Sequence, residues 1–241
     1  MQAFSATRLL ALWERCGVLS GRRRGAVLAS AASVEDSAAD PQASTLGERN
    51  AALLALREAW FGSRLALTAA CPHCREQLEL DLDLSDLPRG EANHGELVTE
   101  LDGWHVRFRV PRLADLEQLP RSSGGDAQAL LEYCALDIRY EGLPRSAAEL
   151  PPAVLAHIDA ALLAADPRGL GSLDVGCSAC ERAFSAPLDI ASVLWHELDA
   201  WAHHTLAEVH TLASAYGWRE ADVLALSAQR RFLYLQLAAG R

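Results

Sequence analysis

The sequence predicts an α+β protein in which two short β-hairpins, separated by a long mixed insertion, are flanked by helices. Three observations predict it. Cys71-Pro-His-Cys74 and Cys177-Ser-Ala-Cys180 repeat one Cys-x-x-Cys spacing about 100 residues apart. Each pair stands between two short runs that read as strands, the clearest alternating Leu78, Leu80, Leu82 and Leu84 with Glu79, Asp81 and Asp83. The segments before and after recur at helical apolar spacing.

Taken in order, Phe4, Leu9, Leu12 and Trp13 lie near helical spacing, and 23–32 suits a second short helix. Residues 30–44, rich in Ala, Ser and Asp, lack periodicity and read as a linker or mobile loop. Thr45 is placed to cap a helix beginning LGERNAALLALREAWFG, with Leu46, Leu53, Leu56 and Trp60 on one face and Gly62 as its stop. The first cysteine pair follows between two strands. A further strand is expected at His105–Val110, ended by Pro111, then a short helix in RLADLEQL, a loop at 122–126 and a helix at 127–136. Ile138–Tyr140 reads as strand, and 147–165 as a helix interrupted early by Pro151 and Pro152. GSLDVGCSACERAFSAPLDI repeats the strand–cysteine pair–strand pattern. From about Ala191 a long helix runs to Tyr216, Gly217 caps it, and two shorter helices follow, with Ser227 as N-cap between them. The expected organisation is a helical arm and linker at 1–44, a domain at 45–190 with an insertion at 85–170, and a helical region at 191–241 packed on that domain.

Composition bounds what this chain does. Its 241 residues can bury roughly 70–75% of the unfolded surface, and a hydrophobic content of 50% excludes a wholly disordered chain. A formal net charge of −10 repels a phosphate backbone and argues against nucleic acid as the ligand. All the cationic side chains are arginine, so Schiff-base chemistry and the phosphate-gripping lysine of a P-loop are excluded. No nucleophile elbow, phosphate loop or dinucleotide fingerprint is present, and the chain is expected not to be an enzyme. No apolar run approaches the roughly 18 residues of a membrane span, and Glu14 and Arg15 break the pattern of a signal peptide. A cytoplasmic setting is therefore expected, where Cys-x-x-Cys spacing points to metal or redox chemistry before disulfides.

Two knuckles that face one another supply the four soft ligands of a tetrahedral zinc ion, which is the arrangement of a zinc ribbon. The expected ligands are Cys71, Cys74, Cys177 and Cys180, and the ribbon is split by the insertion. Closing a loop of about 100 residues instead of about 15 costs only about 2 kcal/mol more. Structural zinc contributes on the order of 10–16 kcal/mol in small peptides, so the long separation does not forbid the site. The letters CPHC also match the active site of thiol oxidases, but there the first cysteine opens a helix, whereas a strand is expected after Cys74. Cys16 and Cys134, alone on helical patterns, read as core thiols. His196, His203 and His210 are spaced by seven, about 10 Å along a helix, too far apart to share one ion. Trp195, Trp201, Tyr216, Trp218, Phe232 and Tyr234 crowd into a chain only 6% aromatic, as core or interface anchors.

The order of these segments resembles a known family. LGERNAALLALREAWFG directly before a CPxC knuckle looks like the opening of T4-type baseplate hub assembly proteins and chaperones, which occur in phage-like contractile injection clusters. APLDIASVLWHELDAWA and EVHTLASAYGWREADVLALSAQRRFLYLQL look like that family's carboxyl half. The resemblance implies a zinc-stabilised structural or assembly protein that contacts baseplate or hub proteins, with the four cysteines carried over as zinc ligands and no catalytic residue. A zinc-ribbon protein that binds nucleic acid or serves transcription is the alternative.

Overall fold

The computed structural model of the chain describes residues 5–32, 41–87, 89–119, 127–169 and 171–240. Phe4, positions 33–40 of the expected linker and the expected loop at 122–126 lie outside the described residues. Helices α1 (Ala6–Gly17) and α2 (Gly21–Ala32) are followed by a 3-10 turn at Pro41–Ala43 and by α3 (Leu46–Phe61). Next come strands β1 (Arg64–Ala70), β2 (Gln77–Asp83), β3 (Leu97–Leu101) and β4 (Trp104–Phe108), and helices α4 (Leu113–Gln118) and α5 (Ala127–Cys134). Strands β5 (Ala135–Tyr140) and β6 (Leu143–Pro144) lead to α6 (Pro152–Ala165), then β7 (Ser172–Gly176) and β8 (Ala183–Pro187). The chain closes with α7 (Ile190–Tyr216), α8 (Glu220–Leu224) and α9 (Ala228–Ala239). The architecture is mixed α+β, and its sheets among the described residues are small: the hairpins β1–β2 and β7–β8 and a four-stranded meander β3–β4–β5–β6. Residues 29–190 form one compact unit, and residues 1–28 form another together with 191–241.

In the unit 29–190, α3 starts at a complete capping box. Thr45 Oγ1 accepts the Glu48 N–H at 3.2 Å, and the Glu48 carboxylate accepts the Thr45 N–H at 2.8 Å. Gly62 ends the helix at φ 87° and donates its N–H to the Glu58 carbonyl. The meander turns on Asp102-Gly103 and Glu141-Gly142, all four residues at positive φ, as a two-residue turn between twisted strands requires. Its inner face carries Val106, Phe108 and Ile138 into a core shared with Leu131 of α5 and with Val154, Ile158 and Leu162 of α6. The opposite face, with Glu100, Arg107 and Arg139, is solvated and laced with ion pairs such as Arg107–Glu96. The insertion therefore has a hydrophobic core of its own.

Two buried carboxylates tie this unit together. Asp166, at the C-cap of α6, accepts the Gly47 N–H at 2.9 Å, so a helix end in the insertion closes on the first turn of α3. The fit leaves no room for a side chain: a Cβ on residue 47 would lie 1.6 Å from Asp166 Oδ1, and one on Gly169 2.6 Å from Oδ2. Asp115, 3% exposed, takes both guanidinium nitrogens of Arg109, at 2.6 and 2.8 Å, and the Arg112 N–H. Burial pushes the Asp115 carboxyl up, but the Arg109 guanidinium and the Arg112 amide outweigh it and hold it below the usual aspartate range. Burial and the adjacent Asp115 push the Cys134 thiol up to about 12.

The other unit is helical. Trp13 of α1 donates its indole N–H to Asp199 of α7 at 2.7 Å, and its ring meets His203 edge-on. Arg24 of α2 lies 4.0 Å over the Trp195 ring while donating to the carbonyls of Cys16 and Leu19. Gly217, at φ 67°, ends α7, and Ser227 Oγ accepts the Arg230 N–H at the start of α9. Tyr216, Trp218 and Tyr234 pack on one another over Val209, Leu212 and Val223. Glu208 of α7 and Arg231 of α9 pair at 2.7 Å.

Two outcomes follow. Gly47→Ala should destabilise the fold by about 1–3 kcal/mol, because the new methyl group overlaps the Asp166 carboxylate; urea unfolding midpoints measure it. Asp115→Asn should cost about 3–5 kcal/mol at pH 7, as expected when one partner of a buried pair is removed. Asp115 has a lower pKa folded than unfolded, so its stabilisation is present above the ordinary value of about 3.9 and is lost as pH falls through the depressed one. The gap between parent and variant should therefore close below about pH 4.

Candidate metal centre

The hairpins β1–β2 and β7–β8 are built alike. In the first, Cys71 donates its N–H to the Glu76 carbonyl at 2.9 Å and accepts the Arg75 N–H at 2.8 Å on its own carbonyl. In the second, Cys177 donates to the Arg182 carbonyl at 3.0 Å and accepts from the Glu181 N–H at 2.9 Å. The residue after each second cysteine turns left-handed, Arg75 at φ 66° and Glu181 at φ 58°, which lets the chain double back under the sulfurs. Beneath the cysteines lies one apolar cluster drawn from both hairpins: Leu78, Val175 and Ala186 are buried with Cys71 and Cys177, and Leu80, Leu173 and Phe184 pack around them.

That packing brings the four cysteines singled out by the sequence together. Their sulfurs all lie within 4.8 Å of one another. Contacts cross between the hairpins: Cys71 Sγ lies 3.7 Å from Cys180 Sγ, and Cys74 Sγ lies 3.6 Å from Cys177 Sγ. Four sulfurs around a tetrahedral ion bonded at about 2.3 Å stand about 3.8 Å apart, close to these two cross-hairpin edges. Cys71 and Cys177 are buried, Cys180 is half-buried and Cys74 is exposed, so the cluster sits at the rim of the apolar floor.

Electrostatics points the same way. Burial pushes the Cys71 thiol up, but the N–H groups of Cys74 and His73 and the neighbouring thiols outweigh it and bring it down to about 7. Cys74 accepts the Glu76 N–H, which favours its thiolate, yet burial and the surrounding thiols push it up to about 12. Cys180, which accepts the matching Arg182 N–H, is raised in the same way. A divalent cation placed among these sulfurs would favour their thiolate forms. The donor set is all sulfur, which suits a soft or borderline ion rather than magnesium or calcium.

The remaining sequence candidates stay apart. Cys16 and Cys134 are buried single thiols. His196, His203, His204 and His210 lie exposed along α7, where His204 pairs with Glu208. A strand, not a helix, follows Cys74, which removes the helix terminus that a thiol oxidase uses. Sequence reading does not find the backbone donors to sulfur or the left-handed residues Arg75 and Glu181, since glycine, the usual signal for positive φ, stands at neither position.

Arg75→Gly and Glu181→Gly should each leave the four-sulfur cluster intact and change stability little, or raise it by up to about 1 kcal/mol, as the strain of a left-handed L-residue is relieved against the added chain entropy. Thermal unfolding of the two variants measures this. A loss of several degrees would show that the side chains themselves hold the turns.

No curated protein and no solved structure matches the chain. A family model described as T4 bacteriophage base plate protein matches residues 31–195, more than half of the chain, and includes both cysteine pairs. The match ends at Trp195 and does not extend over the C-terminal stretch expected from the sequence to share the resemblance. The chain belongs to the T4 bacteriophage base plate protein family.

Proposed function

We propose that Cys71, Cys74, Cys177 and Cys180 hold one structural zinc ion, making the two hairpins a zinc ribbon split by residues 85–170. The protein then serves as a structural or assembly component of the baseplate of a phage-tail-like contractile injection system. It works in the cytoplasm by binding other baseplate or hub proteins, as a chaperone-like factor of assembly. The observation that carries this reading is the family match, which spans a convergent set of four thiols. Zinc bound by four thiolates supplies a fixed tetrahedral crosslink and keeps no open position for water, so the site holds structure and does not catalyse. No helix of the described residues is long and apolar enough to cross a membrane. A nucleic-acid role is disfavoured by the net charge of −10.

Of the six C-terminal aromatics, Tyr216, Trp218 and Tyr234 close the core of their own unit, while Phe232 stands 58% exposed. Leu233 and Leu237 of the same helix are exposed at 51% and 62%, and none of the residues of α9 is buried. This apolar helix surface is the contact we assign to a baseplate neighbour.

Three measurements test the proposal. The purified protein should carry one zinc per chain, with four sulfur neighbours in X-ray absorption. Nitrogen or oxygen neighbours would refute the tetrathiolate. Cys177→Ser should lose the zinc and destabilise residues 64–187 as a whole, by more than about 4 kcal/mol, because the crosslink joins the two ends of the insertion. Proteolysis confined to 170–190 would speak against that. Replacing Phe232, Leu233 and Leu237 together with alanine should leave zinc content unchanged and stability within about 1 kcal/mol, yet stop baseplate assembly. Normal assembly by that variant would remove α9 from the interface.

A further inference from the structure

Strand register decides which backbone groups of the two cysteine hairpins face outward. The bonds from Leu84 N–H to the Ser63 carbonyl and from Cys71 N–H to the Glu76 carbonyl set the bonded positions of β1 at alternate residues. Ala66, Thr68 and Ala70 therefore turn their amides and carbonyls away from β2. The bonds Cys177–Arg182 and Leu188–Gly171 likewise turn Ala183 and Ser185 of β8 away from β7. Among the described residues no hydrogen bond takes up these outward groups. Both edges border one cleft of about 350 Å³, lined by Thr68, Ala69, Ala70 and Pro72 of the first hairpin and by Phe184, Ser185, Ala186 and Pro187 of the second; Pro187 blunts the β8 edge, which leaves β1 as the open one.

Exposed strand edges are usually blunted by a proline, a bulge or a charge within the strand. Between Arg64 and the first cysteine, β1 has none of these: its solvent-facing side chains are Ala66, Thr68 and Ala70, small enough for another backbone to approach. On the same faces the neighbouring strands carry carboxylates, Glu79 across from Thr68 and Asp174 across from Ser185. Asp81, across from Ala66, is paired with Arg64, whereas Glu79 and Asp174 have no ion pair among the described residues. The β1 edge offers main-chain bonds, and Glu79 beside it selects positive charge.

We propose that this cleft takes an extended segment of a partner protein bearing arginine or lysine at alternate positions, added as a strand along β1. The proposal deepens the assembly reading and rests on it. The partner's main chain bonds to Thr68 and Ala70, and its cationic side chains, on the outer face of the first hairpin, reach Glu79 across from Thr68.

The test uses the full-length protein and a fluorescent synthetic peptide of about ten residues alternating Arg and Val, long enough to span a strand of this size. Saturable binding is expected, with slowed hydrogen exchange at the Thr68 and Ala70 amides. Binding should weaken by about tenfold, the worth of one or two main-chain hydrogen bonds, when alternate peptide amides are methylated. Thr68→Pro should have the same effect, since its ring removes an outward N–H and spares the β1–β2 ladder. Glu79→Gln, a surface change that keeps the fold, should weaken binding several-fold, Asp174→Asn on the outer face of the other hairpin should not, and a Glu–Val peptide should not bind. Absence of saturable binding by the Arg–Val peptide overturns the proposal, as does undiminished binding of the methylated peptide. A failed peptide beside a gene deletion that abolishes baseplates removes the strand site and leaves the assembly reading standing. Peptide binding with this signature, beside normal baseplates after deletion, removes the assembly reading alone.

Discussion

Four cysteine sulfurs can lie within 4.8 Å of one another only if two hairpins about 100 residues apart in the chain meet face to face. Much of the unit 29–190 obeys that requirement. The chain between Cys74 and Cys177 must leave one point and return to it. It does so by folding on itself, as a four-stranded meander covered by α5 and α6, with Phe108, Val154 and Ile158 fully enclosed. An unstructured excursion of the same length would meet the geometric demand at a modest closure cost, since that cost grows only with the logarithm of length. The enclosed core removes much of this cost, because the returning chain is already ordered when it arrives.

The hairpins themselves are too short to be stable alone. Two-stranded ribbons are marginal in water, and each of these buries only a few small apolar groups. Their stability comes from the floor they make jointly, where Leu78, Val175 and Ala186 lie against the cysteines. Any ion held by the four sulfurs would reinforce this small core at the point where area alone contributes least.

How much of this was legible varied with the reach of the interaction. The cysteine hairpins could be read because strict alternation at Leu78, Leu80 and Leu82 and a repeated Cys-x-x-Cys are local patterns. Gly217 and Ser227 marked helix ends for the same reason. Strand β3 escaped because its sidedness runs against polarity: Thr99 is buried at 7% exposure while Val98 is 51% exposed, so no apolar alternation appears. The Asp102-Gly103 turn was the available signal for that hairpin. The helix expected at 127–136 ends two residues early, since Ala135 pairs with Phe108 and tertiary pairing overrides helix propensity. Asp166 and Gly47 gave no trace, because a bond spanning 119 residues between a carboxylate and an amide has no period. The four thiols were legible as a set, but their cross-hairpin pairing and the left-handed turns at Arg75 and Glu181 depend on three-dimensional packing.

The Asp166–Gly47 clasp bears on how the two cysteine pairs are brought within reach of each other. With α6 closed onto α3, only the short run from Asp166 to Cys177 separates a fixed point of the fold from the second cysteine pair. An ion held first by Cys71 and Cys74 would meet the second pair as a tethered neighbour, at an effective concentration on the order of millimolar, instead of across a loop of about 100 free residues. Binding would then be an intramolecular ring closure on a prebuilt frame.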